Sequence, residues 1–122
     1  MAKKIMVIDD SEMIRNFHCY ALKSAGYEVI SGLNGADAVE KLFTTRVDMI
    51  ITDINMPVMD GYTLIETVRK EEDFKDIPII IISTEDEAQD KQKGFDAGAN
   101  LYLIKPVEPK KLIENVNMLL GD

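Results

Sequence analysis

The sequence predicts a doubly wound α/β fold, with five parallel strands in the order 2-1-3-4-5 and helices on both faces of the sheet. Two observations predict it. Five short apolar runs recur along the 122 residues, and a helical pattern of apolar residues follows each run. Strands alternating with helices form a parallel sheet covered on both sides. Right-handed crossovers leave few strand orders open to such a chain.

The runs are Ile5–Ile8, Glu28–Ser31, Met49–Thr52, Ile79–Ile82 and Leu101–Ile104. Glu28–Ser31 is the weakest. Two runs are apolar at almost every position, as suits strands buried on both faces. After the first run, Ile14, Phe17, Ala21 and Ala25 recur at helical spacing and Gly26 is a natural stop. After the second, Ala36, Val39, Leu42 and Phe43 form a face. After the third comes a turn-rich loop from Asn55 to Gly61, then Leu64, Ile65 and Val68. After the fourth, Ala88, Gln92 and Phe95 make a thin stripe ended by Gly98, with Gly94 inside it suggesting mobility. After the fifth, Pro109 suits a first helical position. Leu112, Ile113, Val116, Leu119 and Leu120 complete a strong face. Neither an internal repeat nor a linker is visible, so residues 1–122 are expected to form one domain with no output domain attached.

A chain of this length buries about two-thirds of its unfolded surface, so a core can form without metal or disulfide staples. Fourteen basic against twenty-two acidic residues leave a net charge of −8. That balance repels phosphate backbones and argues against direct nucleic-acid binding. Cys19 is the only cysteine, which excludes an internal disulfide and fits a small packing residue in a reducing cytoplasm. The apolar runs are far shorter than the ~20 residues that span a bilayer. The start Met-Ala-Lys-Lys, followed by four apolar residues, is too short for a secretory signal.

In an open parallel sheet, ligands bind beyond the carboxyl ends of the strands, where the strand order reverses. Here that point lies between strands one and three, and the residues just past their ends are Asp9, Asp10 and Asp53. Three carboxylates in one crevice repel each other and raise each other's pKa. A hard divalent cation such as Mg²⁺ relieves the repulsion with oxygen ligands. The alternative is a merely solvated acidic patch. Ser83 after strand four offers a hydroxyl, and Lys105 after strand five an ammonium. Together these groups supply what a phosphoryl group needs, namely positioning and charge neutralisation, with Asp53 as nucleophile.

The motifs Val7-Ile8-Asp9-Asp10, Ile51-Thr52-Asp53, Met56-Pro57-Val58-Met59-Asp60-Gly61, Ile82-Ser83 and Lys105-Pro106 fall in order on successive strand ends. Through them the chain resembles CheY-like response-regulator receiver domains of two-component signalling, over essentially its whole length. The resemblance implies a flavodoxin-like (βα)5 three-layer sandwich with the same strand order, so topology and resemblance are not independent. It implies Asp53 as phosphoacceptor, Asp10 as direct metal ligand, Asp9 as a carboxylate acting through water, and Asn55 as donor of a backbone carbonyl to the metal. Mg²⁺ is the implied cofactor, with Mn²⁺ able to substitute. Ser83 matches the switch hydroxyl and Lys105 the lysine contacting the phosphoryl group. Tyr102 matches an aromatic that changes rotamer on activation; the alternative is a half-exposed strand aromatic with no switching role. The Lys105-Pro106 bond matches a cis peptide.

The resemblance also implies partners. A sensor histidine kinase or phosphotransfer protein would meet the first helix, beginning near Ser11 with Ile14 and Phe17 as its stripe, and the Lys105-Pro106 loop. A downstream protein would read the surface of the fourth helix, fifth strand and fifth helix. The expected protein is a cytoplasmic monomer without membrane insertion, a switch with self-catalysed phosphoryl transfer and autodephosphorylation rather than a turnover enzyme. Its pathway, chemotaxis or phosphorelay, stays open. His18, the only histidine, is expected to be a solvated helix residue, since no metal-ligand or catalytic spacing accompanies it.

Some residues depart from the pattern. Thr84 stands where a small residue is usual and would crowd the path to Asp53. Val107 replaces a common Phe. Asn55 and Glu85 flank the crevice as in fast-dephosphorylating chemotaxis members. Three other readings remain. A Mg²⁺-dependent aspartyl-phosphate phosphatase would need a general acid where Asn55 stands. A flavin binder would need a phosphate loop where Asp9-Asp10-Ser11-Glu12 stands. A pseudo-receiver would bind partners without phosphorylation.

Overall fold

The computed structural model describes residues 2–121; Met1 and Asp122, which open and close the sequence, lie outside the described residues. Strands β1 (Lys4–Ile8), β2 (Glu28–Gly32), β3 (Met49–Thr52), β4 (Ile79–Ser83) and β5 (Leu101–Ile104) alternate with helices α1 (Glu12–Ser24), α2 (Gly35–Leu42), α3 (Gly61–Lys70), α4 (Ala88–Ala97) and α5 (Pro109–Leu120). All neighbouring strands are parallel, in the order β2-β1-β3-β4-β5. This is the three-layer α/β architecture that the sequence predicts.

Alternating strand residues face two separate cores. Met6, Ile8, Ile50, Ile79 and Ile81 pack with Ala38, Leu42, Leu64, Ile65 and Val68 from α2 and α3. Ile5, Val7, Met49, Ile51, Ile80 and Ile82 pack on the other side with Leu22 of α1 and with Leu112 and Val116 of α5. Burial on both faces explains why the β3 and β4 runs do not alternate with polar residues. Each fully buried isoleucine contributes about 1.5–3 kcal/mol. Among the described residues, no helix is long and apolar enough to cross a membrane.

The helix ends are specified locally. Ser11, Asn34 and Asp60 cap α1, α2 and α3 by accepting from the amides of Ile14, Asp37 and Thr63. Pro109 opens α5. Helix α4 has no side-chain cap, and Gly94 is its only buried residue. A Cβ on Gly94 would lie 2.7 Å from Ile81 Cδ1 and 3.1 Å from Tyr102 Cδ2. The glycine thus lets α4 approach the sheet closely. Its role is steric, although a thinly anchored helix also has low local stability.

Three helical faces differ from expectation. On α1 the covered residues are His18 and Leu22, while Phe17 is 51% exposed. His18 is 4% exposed, which overturns its reading as a solvated residue. Its ring packs against Phe17, with centroids 5.8 Å apart. On α2, Ala38 and Leu42 are buried, and Phe43 projects outward against the edge of Phe74. On α4, Ala88, Gln92 and Phe95 are all exposed.

Burial lowers the His18 pKa below its usual 6.5; Asp9 opposes this and Lys105 adds to it. A depressed pKa favours the neutral ring in the folded state. The associated stability is complete above the ordinary histidine pKa and is lost as pH falls through the lowered value. Denaturant melts between mildly alkaline and mildly acidic pH are therefore expected to show a larger loss for the wild type than for His18→Leu. Equal losses would mean that the histidine is not held neutral.

Candidate functional site

The carboxyl ends of β1 and β3 lie side by side because the two strands pair directly, Ile8 opposite Thr52. The Asp53 amide continues that ladder, donating to the Ile8 carbonyl at 3.0 Å. This register sets Asp9 and Asp53 next to each other. Asp9 is 3% exposed, Asp53 is half-buried and Asp10 is exposed. One carboxylate oxygen from each of the three lies within 4.8 Å of the others. Such a set of hard oxygen donors fits Mg²⁺ or Mn²⁺.

Lys105 closes the crevice from the end of β5. Its Nζ donates to Asp9 Oδ2 and to Asp53 Oδ2, each at 2.9 Å. The other oxygens accept from the backbone, Asp9 Oδ1 from the Ser11 amide at 2.9 Å and Asp53 Oδ1 from the Ile54 amide at 2.7 Å. Burial pushes the Asp53 pKa above the ordinary carboxylate value, against the lowering effect of Lys105 and the Ile54 amide. For Lys105 burial is the largest single effect and lowers the pKa. The hydrogen bonds to Asp9 and Asp53 outweigh it, so the net shift is upward. The ammonium is therefore firmly charged, beside a carboxylate whose charged form burial disfavours.

Ser83 ends β4 fully buried, and its Oγ accepts from the Glu85 amide at 3.1 Å. Tyr102 lies behind it on β5. Its hydroxyl donates to the Glu85 carbonyl at 2.8 Å, tying the loop after β4 to the strand. Burial raises the Tyr102 pKa, partly countered by a side-chain hydrogen bond with Ser83. Asn55 stands exposed at the rim and donates from Nδ2 to Glu85 Oε1 at 3.1 Å, spanning the crevice mouth. Thr84 is exposed beside it. The Lys105-Pro106 peptide is cis. Asp9, Asp10, Asp53 and Lys105 thus come together directly, with Ser83, Asn55 and Tyr102 linked to one another through Glu85.

Two residues at the site carry roles the sequence reading missed. Arg15 Nη1 donates to the Asp9 carbonyl at 2.7 Å, bracing the turn after β1. A cation early in a helix opposes the macrodipole, and that was the available signal. Gly61 begins α3 so close to the segment after β3 that a Cβ would stand 2.2 Å from the Asp53 carbonyl oxygen. In the same loop Val58 has φ 70°, the centre of a tight turn in which the Met59 amide donates to the Pro57 carbonyl at 2.7 Å.

Known proteins share this sequence pattern and fold. The sequence pattern of the response regulator receiver domain matches residues 5–117. The chemotaxis protein CheY1 of Helicobacter pylori is 39% identical over 120 residues, covering 97% of this chain and 97% of that protein. The structure of the chemotaxis response regulator CheY4 of Vibrio cholerae superposes with a TM-score of 0.92 at 36% identity, covering 98% of this chain and 99% of that one. The receiver domain of the sensor histidine kinase PA1611 from Pseudomonas aeruginosa PAO1, with a magnesium ion coordinated in its active-site cleft, superposes with a TM-score of 0.92 at 28% identity over the full length of both chains. Fold and sequence agree over nearly the whole chain, which belongs to the response regulator receiver domain family.

Proposed function

We infer that residues 1–122 form one receiver domain that is switched by phosphorylation of Asp53, with the phosphoryl group coming from a phospho-histidine kinase or phosphotransfer protein. Receiver domains are signalling switches rather than turnover enzymes, and this reading assigns the chain self-catalysed uptake and loss of the group. The observation that carries it is the Lys105 ammonium, 2.9 Å from both Asp9 and Asp53, over three clustered carboxylates.

Asp9, Asp10, Asp53 and the Asn55 carbonyl would hold Mg²⁺, which when bound supplies charge neutralisation for the phosphoryl oxygens. One Asp53 oxygen attacks phosphorus as the bond to the donor imidazole nitrogen breaks. The bonding electrons leave with the nitrogen; the donor ring carries a proton on its other nitrogen, so it departs as a neutral imidazole and leaves an aspartyl phosphate. Lys105 then exchanges its carboxylate contact for a phosphoryl oxygen. Ser83 turns its hydroxyl to another, drawing the loop after β4 with it. Through Glu85 that movement reaches Tyr102. The surface of α4, β5 and α5 changes and is read by a downstream protein. Phosphorylation shifts the balance between two pre-existing states by binding one of them better. The donor protein meets α1 and the Lys105-Pro106 loop, and the domain acts as a cytoplasmic monomer.

Intact-mass spectrometry after treatment with acetyl phosphate tests this. With Mg²⁺ the wild type is expected to gain one phosphoryl group, stable to acid and labile to base. With the metal chelated it is expected to gain none. An unchanged mass in both conditions would leave a partner-binding pseudo-receiver.

Thr84 sits beside the entrance as a β-branched side chain. Thr84→Ala is expected to accelerate uptake about fivefold, the effect of relieving roughly 1 kcal/mol of crowding in the transition state. Stopped-flow uptake from acetyl phosphate measures it, and an unaltered rate would show that Thr84 does not gate donor access.

A further inference from the structure

The end of the sheet opposite the acidic crevice carries a second concave surface. It is an open groove of about 720 Å³ where the chain enters β3 and β4. Its apolar lining residues are Leu42, Val47 and Phe74, which are buried, and Ile77 and Pro78, which are partly exposed. Over it stands Phe43, 63% exposed yet fixed in orientation by its edge contact with Phe74 at 5.5 Å between centroids. Leaving a large, fixed aromatic face in water loses the burial it could gain against a partner.

The rim is acidic. Asp48, Glu72, Asp73 and Asp76 line the groove against a single cation, Arg46. Asp48 accepts from the Lys4 amide, and Glu72 pairs with the exposed Lys75 at 3.0 Å. Among the described residues, no hydrogen bond or ion pair holds the carboxylate of Asp73 or Asp76; Asp76 acts only through space on Arg69. Free carboxylates around a presented aromatic ring are complementary to one chemistry in particular. A guanidinium is planar, stacks on aromatic faces and forks onto carboxylates.

We propose that this groove docks a basic segment of a partner protein, with an arginine stacked on Phe43 and paired with Asp73 and Asp76, and a neighbouring apolar side chain against Ile77 and Pro78. An open trough suits an extended segment. A second copy of this chain fits poorly, because self-docking sets acidic rims together on chains that each carry −8. The groove is at the strands' amino ends, away from Asp53 and from the α4, β5 and α5 surface. Docking there is therefore independent of phosphorylation and leaves both of those surfaces free. It does not rest on the phosphorylation reading.

The test is an ¹⁵N-resolved NMR titration of the full chain with the peptide acetyl-Arg-Leu-Arg-Phe-Arg-amide, and with the same peptide carrying glutamate for arginine. Saturable shifts are expected at residues 42–48 and 72–78 with the arginine peptide only, weakening as salt rises. Phe43→Ser, and separately Asp73→Asn with Asp76→Asn, should each weaken binding about tenfold. Both sets of substitutions are on the surface and leave the core intact. Acetyl phosphate with Mg²⁺ should change the affinity by less than about twofold. The proposal is overturned by shifts centred on residues 9, 10 and 53, by equal affinity in either variant, by strong phosphorylation dependence, by peptide-free self-association through the same residues, or by no saturable binding.

Discussion

Asp53→Asn is expected to take up no phosphoryl group from acetyl phosphate under conditions where the wild type is modified to completion. The amide keeps the shape of the carboxylate but lacks an anionic oxygen to attack phosphorus. Neighbouring carboxylates do not substitute for it: Asp9 is nearly inaccessible, and Asp10 makes no hydrogen bond with Lys105. The variant is also expected to fold well, which makes a negative result informative. Burial raises the folded pKa of Asp53, and a raised pKa contributes stability that is full below the unfolded value and lost as pH rises through the folded one. Near neutral pH the ionised carboxylate is thus a cost that the neutral amide removes. The melting temperature should equal or exceed that of the wild type there, and the difference should shrink as pH falls toward the carboxylate range. Lys105 keeps Asp9 as a partner, so the substitution leaves no buried ammonium alone. A mass gain in the variant would move the phosphoacceptor elsewhere.

The parts of the fold legible in the sequence are those where one physical constraint dominates. Ile79–Ile82 reads as a strand because every side chain is covered, whichever face it takes. Asp9, Asp53, Ser83 and Lys105 read as a site because strand ends in this topology converge. The faces of α1 were not legible. Met13, Phe17 and Tyr20 make one apolar stripe and Ile14, Cys19 and Leu22 crowd the next, so periodicity alone leaves the covered side open. The structure exposes Met13, Phe17 and Tyr20 and buries His18, whose polarity argued the other way. On helix α4 the stripe of Ala88, Gln92 and Phe95 is exposed and Gly94 meets the sheet instead, because a glycine that permits close approach looks the same in sequence as one that loosens a helix. Arg69 carried no signal at all. Its guanidinium donates to the carbonyls of Lys75, Ile77 and Gly98 and to Asn100 Oδ1, tying the end of α3 to two loops. Those acceptors are mostly backbone atoms from distant segments, and residue type does not reveal where a carbonyl points.

Gly61→Ala is expected to be the most damaging small substitution in the chain. An added Cβ would meet the Asp53 carbonyl oxygen at 2.2 Å, Ile54 Cα at 2.9 Å and Asp53 carbonyl carbon at 3.1 Å. All three are backbone atoms, so no side chain can rotate away to make room. The two segments are also fastened to each other, since the Gly61 amide donates to the Ile54 carbonyl at 2.8 Å. The Thr52 hydroxyl donates to the Asp53 carbonyl at 2.8 Å, fixing the oxygen that would have to move. Relief requires α3 to retreat from the sheet or the Asp53 segment to shift, and either loosens the core around Leu64 and Ile65. The expected loss of stability exceeds about 3 kcal/mol. Where the variant is still folded, phosphoryl uptake should fall about 100-fold, the usual effect of a displacement near 1 Å at the reacting group. Gly26→Ala is the control. That glycine has φ 98° but open space around its missing Cβ, so alanine brings backbone strain of about 1–2 kcal/mol and no steric clash. It also lies far along the chain from the crevice, and uptake should be unchanged. If Gly61→Ala melted like Gly26→Ala and was phosphorylated at the wild-type rate, the loop after β3 would be compliant. The alignment of Asp53 with Lys105 would then have to be maintained by their mutual hydrogen bond alone, without the wedge of α3 behind it.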